Sequence, residues 1–298
     1  MSLFHMKQIV LWLRIIRPHT LFASLCPVLV GLMVAQTHIP QSSSTMKLTA
    51  LLTVLCALAL QILSNLINDY YDYKRGTDKQ GRVGFKRALA EGLVSEREML
   101  TACLVTLSIA LTLGAVLCYI GGWVIVVIGI TAILFAWLYT ATPYSLSYLG
   151  IADIFVFLYY GVIASWGTVW LQFQSAEQPF DFSLLTPIYA GAVCGLISMC
   201  VLAINNIRDV DDDRLVGKRT IPVRVGKTWA LVLLGVVVAL MPLFALLAFG
   251  LNWAVGIIIP AIVLYLNVLR AKGAQYNLCL LQAGVVNLVY VVLVWMSI

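Results

Sequence analysis

Long apolar stretches dominate this 298-residue chain and decide what it can become. Nine of them, at about 19–36, 48–68, 99–119, 122–141, 152–172, 186–206, 228–249, 253–270 and 277–297, reach or approach the roughly 20 residues that carry a helix across a bilayer. In lipid every backbone N–H and C=O must find a partner within the protein, which leaves helices or closed barrels. Barrel strands alternate apolar and polar residues, and these stretches do not. The expected fold is an all-α integral membrane protein with about nine transmembrane helices in one bundle. Composition agrees: 11% of residues are charged, against about 25% in a soluble domain. No connecting stretch is long enough for a separate soluble domain, so residues 1–298 read as one membrane domain.

Basic residues set the orientation. With the N-terminus on the cytoplasmic side, the nine spans put Lys7, Arg14 and Arg17 inside. The loops at about 69–98 and 207–227 and the short loop around Arg270 and Lys272 fall on the same side. Of the 19 basic residues only Lys47 lies outside, and the C-terminus is expected outside. The net charge of +6 is then a consequence of topology, and nucleic-acid binding carries little weight. The first span lacks a small-x-small cleavage site and eight more follow, so it reads as a span rather than a signal peptide. The seven cysteines form no C-x-x-C pair and read as apolar packing residues. His5, His19 and His38 make no zinc set. Nothing in the sequence calls for an obligate protein partner.

Two segments break the apolar pattern, Asn68-Asp69-Tyr70-Tyr71-Asp72 and Asn205-Asn206-Ile207-Arg208-Asp209, the latter followed by Asp211, Asp212 and Asp213. Each closes an apolar run, and each places an Asp four residues after an Asn. Carboxylates beside hydrocarbon are costly and point to a metal or a charged ligand. On a helix Asn68 shares a face with Asp72, and Asp209 with Asp213. Asp211 points away, whereas Asp69 and Asp212 stay possible through three-residue spacing. Such oxygen donors suit Mg²⁺, which takes one or two carboxylates together with phosphate oxygens. Basic residues beside them complete a diphosphate site: Arg208, Lys218 and Arg219 near the second segment, and Arg82, Lys86 and Arg87 after the first. Locally, Lys74, Arg75 and Gly76 suit a helix end. Ser95 and Glu98 form a capping box that opens the third span.

These segments resemble the UbiA-type superfamily of membrane aromatic prenyltransferases. Within it they are most similar to the 1,4-dihydroxy-2-naphthoate polyprenyltransferases of menaquinone synthesis. Gln61 through Asp72 with Asp78, and Asn205 through Asp209 with Asp213, Gly217, Lys218 and Thr220, carry the resemblance. It implies Mg²⁺ held by Asn68, Asp72, Asp78, Asp209 and Asp213, with Asn205 a further possible member. It also implies diphosphate contacts from Arg208 and Lys218, with Arg82 and Arg87 as weaker candidates. The implied substrates are a polyprenyl diphosphate and 1,4-dihydroxy-2-naphthoate, reached from lipid, with the active site facing the cytoplasm of a bacterial inner membrane.

The loop after the fourth span departs from the family pattern: Pro143 stands where many members carry Lys, four residues after Tyr139. Tyr139, Tyr144 and Tyr148 read equally as an acceptor-pocket rim or as an interfacial aromatic belt. Asp153 reads as an acceptor-positioning group or as a helix N-cap. Phe155, Tyr159, Trp166 and Trp170 form a stripe that suits packing more often than a carbocation pocket. Asn277, Gln282 and Asn287 suit hydrogen bonds between helices. A sister enzyme acting on 4-hydroxybenzoate or homogentisate is the nearest alternative. A secondary transporter is another, although its acids tend to sit near mid-membrane. The D-G-x-x-A-R motif of CDP-alcohol phosphotransferases is absent.

Overall fold

The structure is a computed structural model that describes residues 3–39, 42–76, 87–139 and 145–298. Asp78, Lys79, Arg82, Lys86, Pro143 and Tyr144 lie outside the described residues. Every regular element described is helical. Chain order runs α1 (Leu3–Ile15), α2 (Pro18–His38), α3 (Ser44–Lys74), α4 (Glu96–Leu138), α5 (Leu146–Leu149) and α6 (Ala152–Phe157). A π-helical turn (Leu158–Val162) leads into α7 (Ile163–Ser175), followed by α8 (Thr186–Arg208), α9 (Val210–Leu215), α10 (Ile221–Val225) and α11 (Lys227–Phe249). A 3₁₀ turn (Trp253–Ile257) then leads to α12 (Ile258–Arg270) and α13 (Gln275–Trp295). Among the described residues, eight helical stretches are long and apolar enough to cross a membrane.

One of the eight, α4, covers two expected spans. Its 43 residues would run about 65 Å if straight, twice the hydrocarbon thickness. The helix breaks at Gly122, whose φ of 66° and ψ of −157° suit a residue without a Cβ. The break frees backbone carbonyls, and Trp170 Nε1 donates to one of them, Gly121 O, at 2.8 Å. Both ends of α4 meet the same end of α3: Glu96 pairs with Lys74 at 2.5 Å, and Trp137 Nε1 reaches Tyr71 Oη at 3.4 Å. The chain therefore doubles back at Gly122.

Local signals fall where the sequence puts them. Ser43 caps α3, accepting from the Met46 amide at 3.1 Å. The α3 helix ends at Lys74, with Gly76 at φ 64° just beyond. Ser95 and Glu98 form the reciprocal box at the start of α4. Asn277 bonds Arg208, and Gln282 accepts from Asn267 of α12 at 2.9 Å. All seven cysteines are free, and five are buried as packing residues.

The main core lies between α2, α8, α11, α12 and α13, with α8 at its centre. A second cluster joins Ile15 of α1 to Leu66, Leu89 and Met99. The helix α1 precedes the first expected span. Through Leu11, Trp12 and Ile15 it packs beside the end of α3 that carries the first acidic segment.

The π-helical turn lets α8 come very close. A Cβ on Gly161 would stand 2.6 Å from Gly191 O and 2.6 Å from Gly195 Cα. Small residues allow such backbone approach between membrane helices. Gly161→Ala is expected to destabilise the fold by about 1–3 kcal/mol, because backbone cannot yield as a side chain does. A lowered thermal melt of the detergent-solubilised protein checks this.

Candidate active site

Six helical stretches enclose one cavity of about 360 Å³. Its wall comes from α2, α3, both arms of α4, the α6–α7 stretch and α8. Arg17, Asn65, Asn68, Tyr139 and Asn205 supply polar wall residues, while Cys56, Leu60, Leu117, Ile125 and Leu171 are apolar. The two acidic segments therefore meet: Asn68 and Asn205, 137 residues apart in the chain, line the same chamber.

Beside each asparagine sit buried carboxylates. Asp72, Asp209 and Asp213 are each 5% exposed, and Asp69 is 2% exposed. Such burial demands compensation. Asp69 pairs with both Arg17 and Arg87, and Arg87 also stands 4.0 Å from Asp72. Arg208 grips Asp209 with two bonds, of 2.6 and 2.8 Å, and donates to Asn277 Oδ1 at 2.7 Å. Lys218 lies 3.4 Å from Asp213, and Thr220 Oγ1 donates to the same carboxylate at 3.4 Å.

The second segment is not one unbroken helix. Asp209 closes α8 and precedes α9, with φ −96° and ψ 12°. The Asp213 amide still donates to Asp209 O at 2.8 Å, so the four-residue repeat survives the junction. Asp211 and Asp212 turn outward and are exposed.

Aromatic residues tie the segments together. Tyr148 offers its ring to Arg75 (4.9 Å to the centroid) and to Lys218 (5.6 Å). It thus joins cations that follow the two acidic segments, and it is not part of the cavity wall. Tyr139 lines the cavity within electrostatic reach of Asp72, Asp153 and Asp213. Asp153 is 8% exposed and lies in the first turn of α6, where Ile151 holds the cap position. The expected stripe splits at the π-helical turn. Phe155 and Tyr159 line the cavity against Phe135, at 4.4 and 5.0 Å between centroids. Trp166 and Trp170 instead pack with Phe180. The turn also brings Tyr160 into the wall, which Ser64 of α3 lines as well.

Arg17 is the site residue that the sequence concealed. It sits at φ 53°, in the left-handed region, immediately before Pro18, and the reversal from α1 to α2 lays it against Asp69. In the sequence it reads as one more basic residue at a span end.

The model of the UbiA prenyltransferase family matches residues 24–282. The chain belongs to that family. A 1,4-dihydroxy-2-naphthoate octaprenyltransferase of Escherichia coli is 35% identical over 72% of this chain and 68% of its own. The Bacillus subtilis protein of the same name is 29% identical over 84% of this chain and 74% of its own. A UbiA homolog from Archaeoglobus fulgidus, solved bound to DMAPP and Mg²⁺, matches with a TM-score of 0.65 over 95% of this chain and 97% of its own. At 18% identity, that likeness speaks for the UbiA fold.

Proposed function

We propose that this protein transfers a polyprenyl group from a polyprenyl diphosphate to 1,4-dihydroxy-2-naphthoate, the step that leads to demethylmenaquinone. The observation that carries the proposal is the shared chamber: Asn68 and Asn205, one from each acidic segment, line one largely apolar cavity, with the buried carboxylates of both segments close by in sequence. The naphthoate acceptor is supported by the relatives of that name.

The donor set suits Mg²⁺. Buried Asp72, Asp209 and Asp213 with Asn68 and Asn205 offer hard oxygen atoms, and Asp78 extends the set in sequence. Among the described residues no three His, Cys, Asp or Glu side chains converge. Mg²⁺ commonly draws its remaining ligands from substrate phosphate oxygens and water. When bound, Mg²⁺ supplies positive charge to the departing diphosphate.

The chain's own residues do the rest. Arg17, Arg87, Arg208 and Lys218 stand beside the carboxylates as preorganised countercharge for the diphosphate; Arg82, outside the described residues, is a candidate from its place in the sequence alone. The C–O bond breaks, its electron pair leaves with the diphosphate, and an allylic cation remains. Phe135, Phe155 and Tyr159 offer π faces in the cavity wall for that cation. The apolar wall around Leu117, Ile125 and Leu171 takes the prenyl tail. The ring carbon that bears the carboxylate attacks the cation, and the carboxylate leaves as carbon dioxide and returns its electron pair to the ring. The product is the prenylated 1,4-diol, which an external oxidant such as dioxygen converts to the quinone after release.

The same reading sets topology. The doubled-back α4 counts as two crossings, giving nine, with the N-terminus and the 69–98 and 207–227 loops in the cytoplasm and the C-terminus outside a bacterial inner membrane. Purified protein given both substrates is expected to form the prenylated naphthoquinone only with Mg²⁺, as read by mass spectrometry. Product from 4-hydroxybenzoate or homogentisate, and none from the naphthoate, overturns the acceptor assignment.

A further inference from the structure

A hydrogen-bond chain in the cavity wall ends on an oxygen that receives nothing from the described residues. The Ile16 carbonyl can only accept, so Asn65 turns Nδ2 toward it, at 2.9 Å. The same Nδ2 gives to Thr20 Oγ1 at 2.9 Å, and the Thr20 hydroxyl proton goes to the Arg17 carbonyl at 2.9 Å. Asn65 Oδ1 is left facing Gln61, which answers with Nε2 at 3.4 Å. That Nε2 also reaches Thr20 Oγ1 at 3.4 Å. Turning the Gln61 amide over would set two oxygens face to face. Gln61 Oε1 is thereby fixed as the end of the chain, and it is buried without a hydrogen-bond partner among the described residues. Gln61 is 6% exposed and stands in the cavity wall with Asn65 and Thr20. Ser198 of α8, 3% exposed, lines the same cavity, and its Oγ also lacks a partner among the described residues. Buried polar atoms are nearly always paired, so two such oxygens in one cavity wall point to a polar ligand.

We propose that Gln61 determines specificity for the aromatic acceptor, with Oε1 accepting a hydrogen bond from a ring hydroxyl; this rests on the naphthoate reading above. A prenyl tail brings no donor, and a diphosphate brings acceptor oxygens, so the hydroxyl belongs to the ring. In 1,4-dihydroxy-2-naphthoate the 1-hydroxyl lies beside the carboxylate and hydrogen-bonds to it. The 4-hydroxyl is the free donor. A site built to pair a hydroxyl rejects an analogue that lacks it, because its own buried group goes unpaired.

The test uses 1-hydroxy-2-naphthoate, which lacks the 4-hydroxyl, as an inhibitor of the purified enzyme. Its inhibition constant should exceed the Michaelis constant for the dihydroxy acceptor by roughly 10- to 100-fold in the wild type. In Gln61→Leu that ratio should fall to near one, while the Michaelis constant for the polyprenyl diphosphate stays at its wild-type value. A wild-type ratio near one, or a ratio unchanged in Gln61→Leu, overturns the proposal. The wild-type arm needs no variant, so it decides even where Gln61→Leu fails to fold. A wild type that prenylates other aromatic acceptors and not the naphthoate overturns the functional reading itself, and the proposal with it.

Discussion

Exchanging Asp72 for Asn is expected to cut kcat/KM for prenyl transfer by about 10³-fold or more, at nearly unchanged thermal stability. The loss follows from charge. Stabilising a developing diphosphate through a divalent ion is worth several kcal/mol, and each 1.36 kcal/mol is about tenfold in rate. Asp72 is 5% exposed, so little water stands ready to replace its carboxylate. Stability is spared because Arg87 keeps a partner: it stands 4.0 Å from Asp72 but pairs more closely with Asp69. Steady-state product formation and a thermal melt of the solubilised protein check both halves. Activity above a tenth of wild type would remove Asp72 from the ion's ligands.

The features legible in the sequence are those whose causes are local. The capping box at Ser95 and Glu98 and the stop at Gly76 involve residues within one helical turn. The break between the third and fourth spans lies at Gly122, because a run twice the bilayer's thickness must turn somewhere and glycine turns most cheaply. Asp72, Asp209 and Asp213 stand out because carboxylates are rare beside such apolar stretches, and Asn68 because it shares a helical face with Asp72. What stays hidden depends on partners distant in sequence. Arg17 lies 52 positions from Asp69, and a lone Arg before Pro18 looks the same whether it faces headgroups or a buried acid. The stripe in the fifth span reads as a single face when a regular helix is assumed. One π-helical turn at Leu158–Val162 sends Phe155 and Tyr159 to the cavity and leaves the two tryptophans to packing. The free oxygen of Gln61 follows only once Ile16, Thr20 and Asn65 have fixed their own orientations.

The two acidic segments look alike as text, yet Asp209→Asn should behave differently from Asp72→Asn. It is expected to abolish transfer and also to lower stability by about 3–5 kcal/mol. Arg208 has a side chain only 4% exposed, and it holds both oxygens of Asp209, at 2.6 and 2.8 Å. An amide at position 209 offers one acceptor and no charge. The guanidinium would then face the Asn277 amide oxygen as its other partner among the described residues. A buried cation stripped of its counter-ion is costly, whereas removing both members of such a pair is often close to neutral. The double variant Asp209→Asn/Arg208→Met should therefore regain most of the lost melting temperature and none of the activity. Melting curves and product assays on the wild type, the single variant and the double variant separate the two roles. Recovery of activity together with stability would show that the Arg208–Asp209 pair serves the fold alone; recovery of stability without activity places the pair in the chemistry.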